Sequence, residues 1–254
     1  MTDLSRLYMP ITSDPFEQND NYTELLPCPA LRPFVRCFWG TQKPMSRSYS
    51  RLVIPDTCMD IIIRFTESSA EKSFCKIDES SGYSVEHSFT EAYYVFAVRF
   101  YPWSAAMFAD IPDITAAEAP EDIFPKLTRL LTERALREND IYARAKAAET
   151  LLLSLVCPEK ADNDVMNALY LSIISNGNVR AADLAGYTAL SVRSLQRKFS
   201  LSAGKSPKLL TDLIRYQLLW QETALGGGIS VSEAVEKFGY FDQAHMLNEI
   251  GRAH

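Results

Sequence analysis

The cysteine side chains are the first groups whose spacing can be tested for chemistry. Five is an odd number, and no two of them form a Cys-x-x-Cys pair: Cys28, Cys37, Cys58, Cys75 and Cys157. This pattern indicates neither a disulfide framework nor a zinc ribbon. We interpret the cysteines as buried or incidental thiols, since free cysteine behaves as a small hydrophobe. The alternative is a redox or metal sensor, for which Cys28 and Cys37 are the first candidates.

The histidines and the nucleophile motifs give no sign of an enzyme. The three histidines are His87, His245 and His254, whereas an imidazole-based metal centre needs several close together. No Gly-x-Ser-x-Gly motif is present. The segment Gly204-Lys205-Ser206 is similar to the end of a phosphate-binding loop, but Phe199 stands where that loop requires glycine. We therefore expect no catalytic residue, no metal site and no cofactor.

Hydrogen bonding to DNA bases is a second kind of chemistry, and one short predicted helix, residues 192–199, suits it. Arginine can read guanine and glutamine can read adenine through paired hydrogen bonds in the major groove. A short helix with such residues near its N-terminus fits that groove. The outward-facing candidates are Arg193, Ser194, Gln196, Arg197 and Lys198.

Two predicted helices would position these side chains as a helix-turn-helix unit. Asn178 is predicted to cap a helix over residues 179–185, residues 186–190 form the turn, and Ser191 caps the second helix. A long helix over residues 206–225 is predicted next. The apolar contacts within the unit would come from Ala181, Leu184, Leu195 and Phe199.

A second helix-turn-helix unit is predicted after the long helix. Ser230 and Glu233 form a capping-box pattern at the start of its first helix. Gly239-Tyr240 makes the turn, and Asp242 caps a helix that runs from Gln243 to about residue 252.

The charge distribution agrees with a DNA-binding region in the C-terminal half. The whole chain carries a net charge of −6, which argues against indiscriminate coating of nucleic acid. Residues 180–215 contain seven cations against two acidic residues, a net charge of +5. A basic segment on an acidic chain is the electrostatic pattern of a phosphate-contacting face.

The N-terminal half is predicted to be mainly β. Strands are expected at residues 34–39, 51–54, 59–65 and 93–100, with a turn at Pro55-Asp56-Thr57. Residues 67–84 are predicted to be a long loop or hairpin tip. Such successive short strands favour a small barrel or sandwich.

Helices are predicted from residue 120 onward, at 127–134 and 143–156, and they would pack on their own domain or form a dimer seam. Proline and polar residues at 158–163 indicate a linker. We therefore predict an α+β chain of two domains, residues 1–160 and 161–254.

Length and composition bound the class of protein. The chain has 254 residues, 47% hydrophobic and 23% charged, which is typical of a folded globular protein. It contains no apolar run long enough to span a membrane, and its start lacks the pattern of a secretory signal. We expect a cytoplasmic protein without a membrane partner.

A candidate effector site comes from aromatic and basic residues on the predicted strands: Trp39, Arg64, Tyr94, Phe96 and Arg99. The aromatic side chains could line a pocket or belong to the core. Arg64 and Arg99 could form an anion-recognising pocket, or a structural ion pair with Asp60 or Glu67. Two alternatives remain open: an N-terminal domain that binds a protein partner, and a Cys-reactive sensor or repair protein fused to a DNA-binding module.

The C-terminal motifs resemble the AraC/XylS family of bacterial transcription regulators over roughly the last 90 residues. In chain order they are Asp183-Leu184-Ala185, Ser191-Val192-Arg193-Ser194-Leu195-Gln196-Arg197-Lys198-Phe199, Gly204-Lys205-Ser206-Pro207-Lys208, Arg215 and Gly239-Tyr240-Phe241-Asp242-Gln243-Ala244-His245. The upstream segments 55–62 and 98–102 are similar to a cupin-like sensor domain found in some members of that family.

The resemblance implies a regulator with a small cupin-like β-barrel, which senses a small-molecule effector, and an all-α domain of two helix-turn-helix units. Its implied partners are double-stranded DNA, the effector, RNA polymerase and a second copy of the chain. The first recognition surface would comprise Ser191, Arg193, Ser194, Gln196, Arg197 and Lys198. The second would include Gln243 and His245, and Ser206 and Lys208 would lie near phosphates.

The sequence departs from the family pattern in its second unit. Where the family usually has an aromatic residue after His245 and then a basic residue, this chain has Met246-Leu247-Asn248-Glu249-Ile250-Gly251, in which Asn248 and Glu249 weaken the attraction to phosphate. Gly226-Gly227-Gly228 makes a flexible entry to the second unit. The closing Gly-x-Ser/Thr-Pro and final helix of the family are not found before His254. We therefore expect either that the second unit is incomplete or that it contributes less to binding than the first.

Overall fold

An antiparallel β-sheet forms the N-terminal half of the computed structural model, which describes residues 3–11, 21–45, 48–49, 55–66, 70–75, 87–88, 92–109, 120–224 and 228–251. The strands are β1 (Tyr22–Leu25), β2 (Val35–Thr41), β3 (Ser48–Tyr49), β4 (Met59–Phe65), β5 (Ala70–Cys75), β6 (His87–Ser88) and β7 (Tyr94–Phe100). Five of them pair in the order β1-β2-β7-β4-β5, and β3 pairs with β6.

The two faces of the sheet have different environments, because successive side chains in a strand point to opposite sides. On β7, Phe96, Val98 and Phe100 lie in the main hydrophobic core. Val95 and Ala97 on the same strand belong to a separate apolar cluster on the other face. The first face is covered by helices, and the second carries the polar groups described below.

Three helices pack on the first face: α1 (Pro120–Ile123), α2 (Pro125–Arg137) and α3 (Ile141–Leu155). Helix α2 contacts β4, and α3 contacts β1 and β2. A Cβ atom at Gly40 on β2 would collide with the carbonyl oxygen of Val95 and would lie 3.2 Å from Cδ1 of Ile141. The close approach of β2 to the backbone of β7 therefore requires glycine at this position, and Ile141 on α3 packs against it.

Six helices follow: α4 (Asn163–Ile174), α5 (Ala181–Tyr187), α6 (Val192–Ala203), α7 (Pro207–Ala224), α8 (Val231–Phe238) and α9 (Gln243–Gly251). The main hydrophobic core is continuous from the sheet into α4–α7, since Leu184, Phe199 and Leu210 belong to the same cluster as Phe96. A second cluster, centred on Phe238, joins α7, α8 and α9. Among the described residues, no helix is both long and apolar enough to cross a membrane.

The α+β class is as predicted, and three local predictions are wrong. Residues 70–75, expected in a loop or hairpin tip, form β5, which pairs with β4. The helix expected at 179–185 is α5, which begins at Ala181 because Asp183 accepts a hydrogen bond from the backbone N–H of Arg180. It ends at Tyr187, inside the predicted turn.

Two further predictions about the fold are neither confirmed nor contradicted. The closed barrel stays a prediction, because the described strands give an open sheet with β1 and β5 at its edges. The boundary between domains 1–160 and 161–254 also stays a prediction. The strand expected at 51–54 and the glycine pair 226–227 lie outside the described residues.

Candidate nucleic-acid interface

Helix α6 buries one face and exposes the other. Ser191 caps its N-terminus, with Oγ accepting the backbone N–H of Ser194 at 3.1 Å. Gly204 ends the helix in the left-handed conformation at φ 69°. The buried side chains are Leu195, Phe199 and Ala203. The exposed ones include Arg193, Ser194, Gln196 and Arg197, four of the five predicted outward-facing residues.

Helix α5 packs against α6 where the first helix-turn-helix unit is predicted. Leu184 and Ala185 are buried and lie in the same apolar cluster as Leu195 on α6. Between the helices, Ala189 adopts a positive φ of 54°, which is uncommon for a residue with a side chain. This sharp turn and the shared core fix the direction of α6.

Lys198 differs from the other four residues, and its predicted outward position is wrong. Its Nζ lies 2.7 Å from Oδ2 of Asp162 and 3.1 Å from Oδ2 of Asp164 at the start of α4. The hydrogen bond to Asp162 is the main cause of the raised pKa of Lys198. The side chain is therefore a protonated partner of two carboxylates within the protein.

Most of the basic segment is neutralised in the same way. Arg180 pairs with Asp183 at 3.0 Å, and Lys208 and Arg215 both pair with Asp212, at 2.7 and 3.2 Å. Asp183 and Asp212 are already counted in the net charge of +5 for residues 180–215, so only the pairing of Lys198 with Asp162 and Asp164, outside that segment, lowers the available positive charge. Arg193 and Arg197 form no ion pair within the described ranges, so the unpaired charge is concentrated on the exposed face of α6.

The predicted phosphate contacts at the start of α7 have intramolecular partners. Ser206 Oγ accepts the backbone N–H of Leu209 at 3.2 Å, which is a capping hydrogen bond. The side chain of Lys208 is 77% exposed, although it also pairs with Asp212. Both residues are exposed.

Helices α8 and α9 lie where the second helix-turn-helix unit is predicted. Ser230 Oγ accepts the backbone N–H of Glu233 at 3.3 Å, while Glu233 accepts that of Ser230 at 3.0 Å, which confirms the predicted capping box. Gly239 makes the turn at φ 67°, and a Cβ there would collide with the side chain of Asn178. Asn178 thus packs against the second turn instead of capping the first helix.

The start of α9 presents both residues predicted for the second recognition surface. Asp242 Oδ1 accepts the backbone N–H of His245 at 2.7 Å, as predicted for a cap. Gln243 and His245 are exposed. The His245 ring meets the buried Tyr240 ring edge-on at 5.7 Å and its Nδ1 accepts the backbone N–H of Phe241 at 3.4 Å. The imidazole is thus held in one orientation.

The five candidate effector residues do not share one pocket. Tyr94 and Phe96 lie on the helix-covered face, where Tyr94 stacks on Phe65 at 5.7 Å and Phe96 stacks on Phe38 at 6.2 Å. Strand alternation places Trp39, Arg64 and Arg99 on the opposite face. The prediction therefore combined two environments, and the core interpretation is correct for Phe96, which is fully buried.

Arg99 belongs to a buried charge cluster. Its guanidinium donates to both carboxylate oxygens of Asp60, at 2.7 and 2.6 Å, and lies 3.8 Å from Asp56. Trp39 Nε1 donates to Asp60 at 3.1 Å. Burial alone would lower the pKa of Arg99, but the two carboxylates outweigh it and raise this pKa. The expected alternative, a structural ion pair with Asp60, is therefore correct, and Arg99 is not an open anion site.

The cysteine sensor candidates have different surroundings. Cys28 is half-buried, whereas Cys37 is fully buried beside the charge cluster. Burial raises the pKa of Cys37 well above its usual value, so its thiol stays protonated. A protonated, enclosed thiol is a poor nucleophile, which disfavours a reactive role for Cys37.

Sequence reasoning missed Gln217, a fully buried side chain on α7. It accepts the backbone N–H of Ile11 at 2.8 Å and donates to the carbonyl oxygens of Ile11 and Pro55, at 3.1 and 2.7 Å. Its partners are 206 and 162 positions away in the chain. No local sequence signal could have identified this contact.

Comparisons with known proteins give one domain match and one structural likeness. Residues 23–116 match the family model of a domain of unknown function, DUF6597. None of the curated proteins matches the chain. Among solved structures, the chain is similar to an apo ToxT variant from Vibrio cholerae, with 13% sequence identity and a TM-score of 0.38, over 84% of this chain and 92% of that one. The resemblance to the AraC/XylS family rests on the ordered motifs between residues 183 and 245.

Proposed function

We propose that this chain is a sequence-specific DNA-binding transcription regulator of the AraC/XylS type and not an enzyme. The observation that carries the proposal is the exposed face of α6. Arg193, Gln196 and Arg197 occupy one helical face, at spacings of three and four residues, and Arg193 and Arg197 have no acidic partner in the described part of the chain. Such a face can hydrogen-bond base edges in the major groove.

The two helix-turn-helix units would contribute unequally to DNA binding. The first unit supplies the unpaired arginines, so we assign it the main base and phosphate contacts. The second unit contributes Gln243 and His245, and its Lys237 is held by Glu222 at 2.8 Å. Ser191, Ser194, Ser206 and Lys208 remain secondary candidates, because each already has a hydrogen-bonding partner within the protein.

The N-terminal half would act as the sensor in the cytoplasm. We place the small-molecule effector on the sheet face that carries Trp39 and Arg64, with Arg99 as a structural residue behind them. The barrel closure, RNA polymerase contact and homodimer belong to this proposal through the family resemblance. An effector is then any compound that changes the DNA affinity of the full chain.

Fluorescence anisotropy with labelled promoter DNA from the gene's own locus tests the proposal. We expect binding whose affinity falls steeply with salt, since phosphate contacts release counterions. Replacing both arginines, Arg193→Ala with Arg197→Ala, should weaken binding by about 1–3 kcal/mol for each base that the variant no longer reads.

A matched control is Arg129→Ala, which removes an exposed arginine from α2, far along the chain from both units. This variant should bind DNA as the wild type does. Unchanged affinity and salt dependence in the Arg193/Arg197 double variant would overturn the assignment of the recognition surface.

A further inference from the structure

Phe241 is the most exposed large apolar side chain in the described part of the protein, with 89% of its surface accessible. Phenylalanine usually buries a large area and contributes strongly to packing. Single apolar residues on a surface are common, but one this exposed makes almost no contact with the rest of the chain. Phe241 lies between the two helices of the second helix-turn-helix unit, so its exposure bears on how that unit would contact DNA.

The local backbone directs the Phe241 ring away from the protein. Tyr240, its neighbour, is 6% exposed and lies under the guanidinium of Arg215, with 4.8 Å between Cζ and the ring centroid. Asp242, the next residue, caps α9 through the backbone N–H of His245. Since Tyr240 packs inward and Asp242 is held at the helix end, the ring between them projects outward beside the N-terminus of α9.

The N-terminal end of the second helix of a helix-turn-helix unit is the part that reaches base edges. The charges near this end of α9 give little attraction to phosphate, because Asp242 is acidic and Lys237 is paired with Glu222. Apolar contact with the thymine C5-methyl group is the one base contact in the major groove that needs no charge or hydrogen bond. A phenylalanine ring supplies this contact.

We propose that Phe241 determines the base specificity of the second helix-turn-helix unit. Its ring, next to His245, would contact the methyl group of a thymine. The imidazole of His245 accepts the backbone N–H of Phe241, so both side chains are placed at the start of α9. This inference rests on the proposed DNA-binding function and adds the base that the second unit selects.

Parallel selections from a random duplex pool test the inference with the full-length wild type and Phe241→Ala. The wild type should enrich sites with an invariant thymine that Phe241→Ala does not enrich. The selected wild-type duplex is then synthesised with uracil in place of each thymine in turn, which removes only the methyl group. Uracil at one position should weaken wild-type binding about fourfold, the worth of one buried methyl-sized group.

The variants separate the possible outcomes. Phe241→Ala should bind the thymine and uracil duplexes equally, while Phe241→Leu, which stays apolar, should keep part of the preference. Because the ring makes few internal contacts, both variants should retain the circular dichroism spectrum of the wild type. Tyr142→Ala, at a 59% exposed aromatic residue on α3, is the control and should keep the full thymine preference.

The inference is overturned if uracil has no effect at any position, or if Phe241→Ala keeps the wild-type penalty. Those results leave the proposed function intact when enrichment still depends on Arg193 and Arg197. If the wild type enriches no sequence at all, the proposed function fails together with the inference.

Discussion

At the scale of single residues, Lys198 and Arg197 show how neighbours in sequence come to have different roles. Arg197 is exposed, whereas the side chain of Lys198 is only 32% exposed and bridges Asp162 and Asp164. Asp162 also caps α4 by accepting the backbone N–H groups of Asp164 and Val165. Lys198 therefore connects α6 to the start of α4, and we infer that it positions α6.

This difference predicts that two matched substitutions affect the salt dependence of DNA binding differently. The slope of log affinity against log salt is negative. Arg197→Gln should make this slope less steep by about one unit, since one phosphate-neutralising charge is removed. Lys198→Gln should weaken binding while leaving the slope at its wild-type value. Both are measured by anisotropy between about 50 and 200 mM salt.

Asp164→Asn is a control variant that should change DNA affinity in opposite directions for the two possible roles of Lys198. If Lys198 positions α6, removing one of its carboxylate partners weakens DNA binding. If Lys198 contacts phosphate, the same change frees it and strengthens binding, which would contradict the positioning role.

At the scale of elements, helices α6 and α8 begin at caps that their sequences encode locally. The Ser191 and Ser230 caps were predicted correctly, because a cap depends on residues at most three positions apart. In the Ser230 capping box, the hydrogen bond from the Ser230 hydroxyl is the main cause of the lowered pKa of Glu233. A carboxyl group with a lowered pKa stabilises the fold above its unfolded pKa, and this contribution is lost as pH falls through the folded value.

Ser230→Ala therefore has two expected effects on α8. The pKa of Glu233, measured by NMR titration, should rise towards its ordinary value of 4.5 as the hydroxyl donor disappears. The free energy of unfolding at neutral pH should fall by about 1 kcal/mol, the usual cost of removing a serine cap. Ser202→Ala, at a half-buried serine on α6 outside this capping box, is the control. An unchanged Glu233 pKa in Ser230→Ala would contradict the capping geometry.

The elements that sequence patterns missed depend on distant partners. Ala70–Cys75 is rich in polar residues and has no strand pattern of its own, but it pairs in register with β4 from Asp60 to Phe65. Asn178 carries a capping signal, yet its side chain packs against Gly239, which lies in another unit. Local spacing thus predicted the helices and the exposed face of α6, whereas long-range pairing decided β5, Lys198 and the faces of the effector candidates.

At the scale of the whole molecule, Gln217 connects the helix between the two units to the N-terminal half. Residues 8–11 lie between that helix and the sheet, with Tyr8 OH 3.2 Å from Thr57 Oγ1 and the Pro10 carbonyl accepting from Arg36. The loop that Gln217 reaches, at Pro55, is followed by Asp56, which faces Arg99. A single buried side chain on α7 therefore joins the N-terminal segment and the loop beside the charge cluster.

Replacing this side chain tests how strongly the two halves depend on each other. Gln217→Leu keeps the volume but leaves the Ile11 N–H and the Ile11 and Pro55 carbonyls without their partner, and each such group costs about 1–3 kcal/mol. We expect a lower free energy of unfolding in urea, and a broader transition because the halves lose cooperativity. Gln221→Leu is the matched control, since its one hydrogen bond, to the Met9 carbonyl at 2.7 Å, is exposed and should cost far less. Equal destabilisation by the two substitutions would mean that Gln217 contributes nothing specific to the contact, and that α7 is held to the N-terminal half by its apolar residues Tyr216 and Trp220 against Ile11.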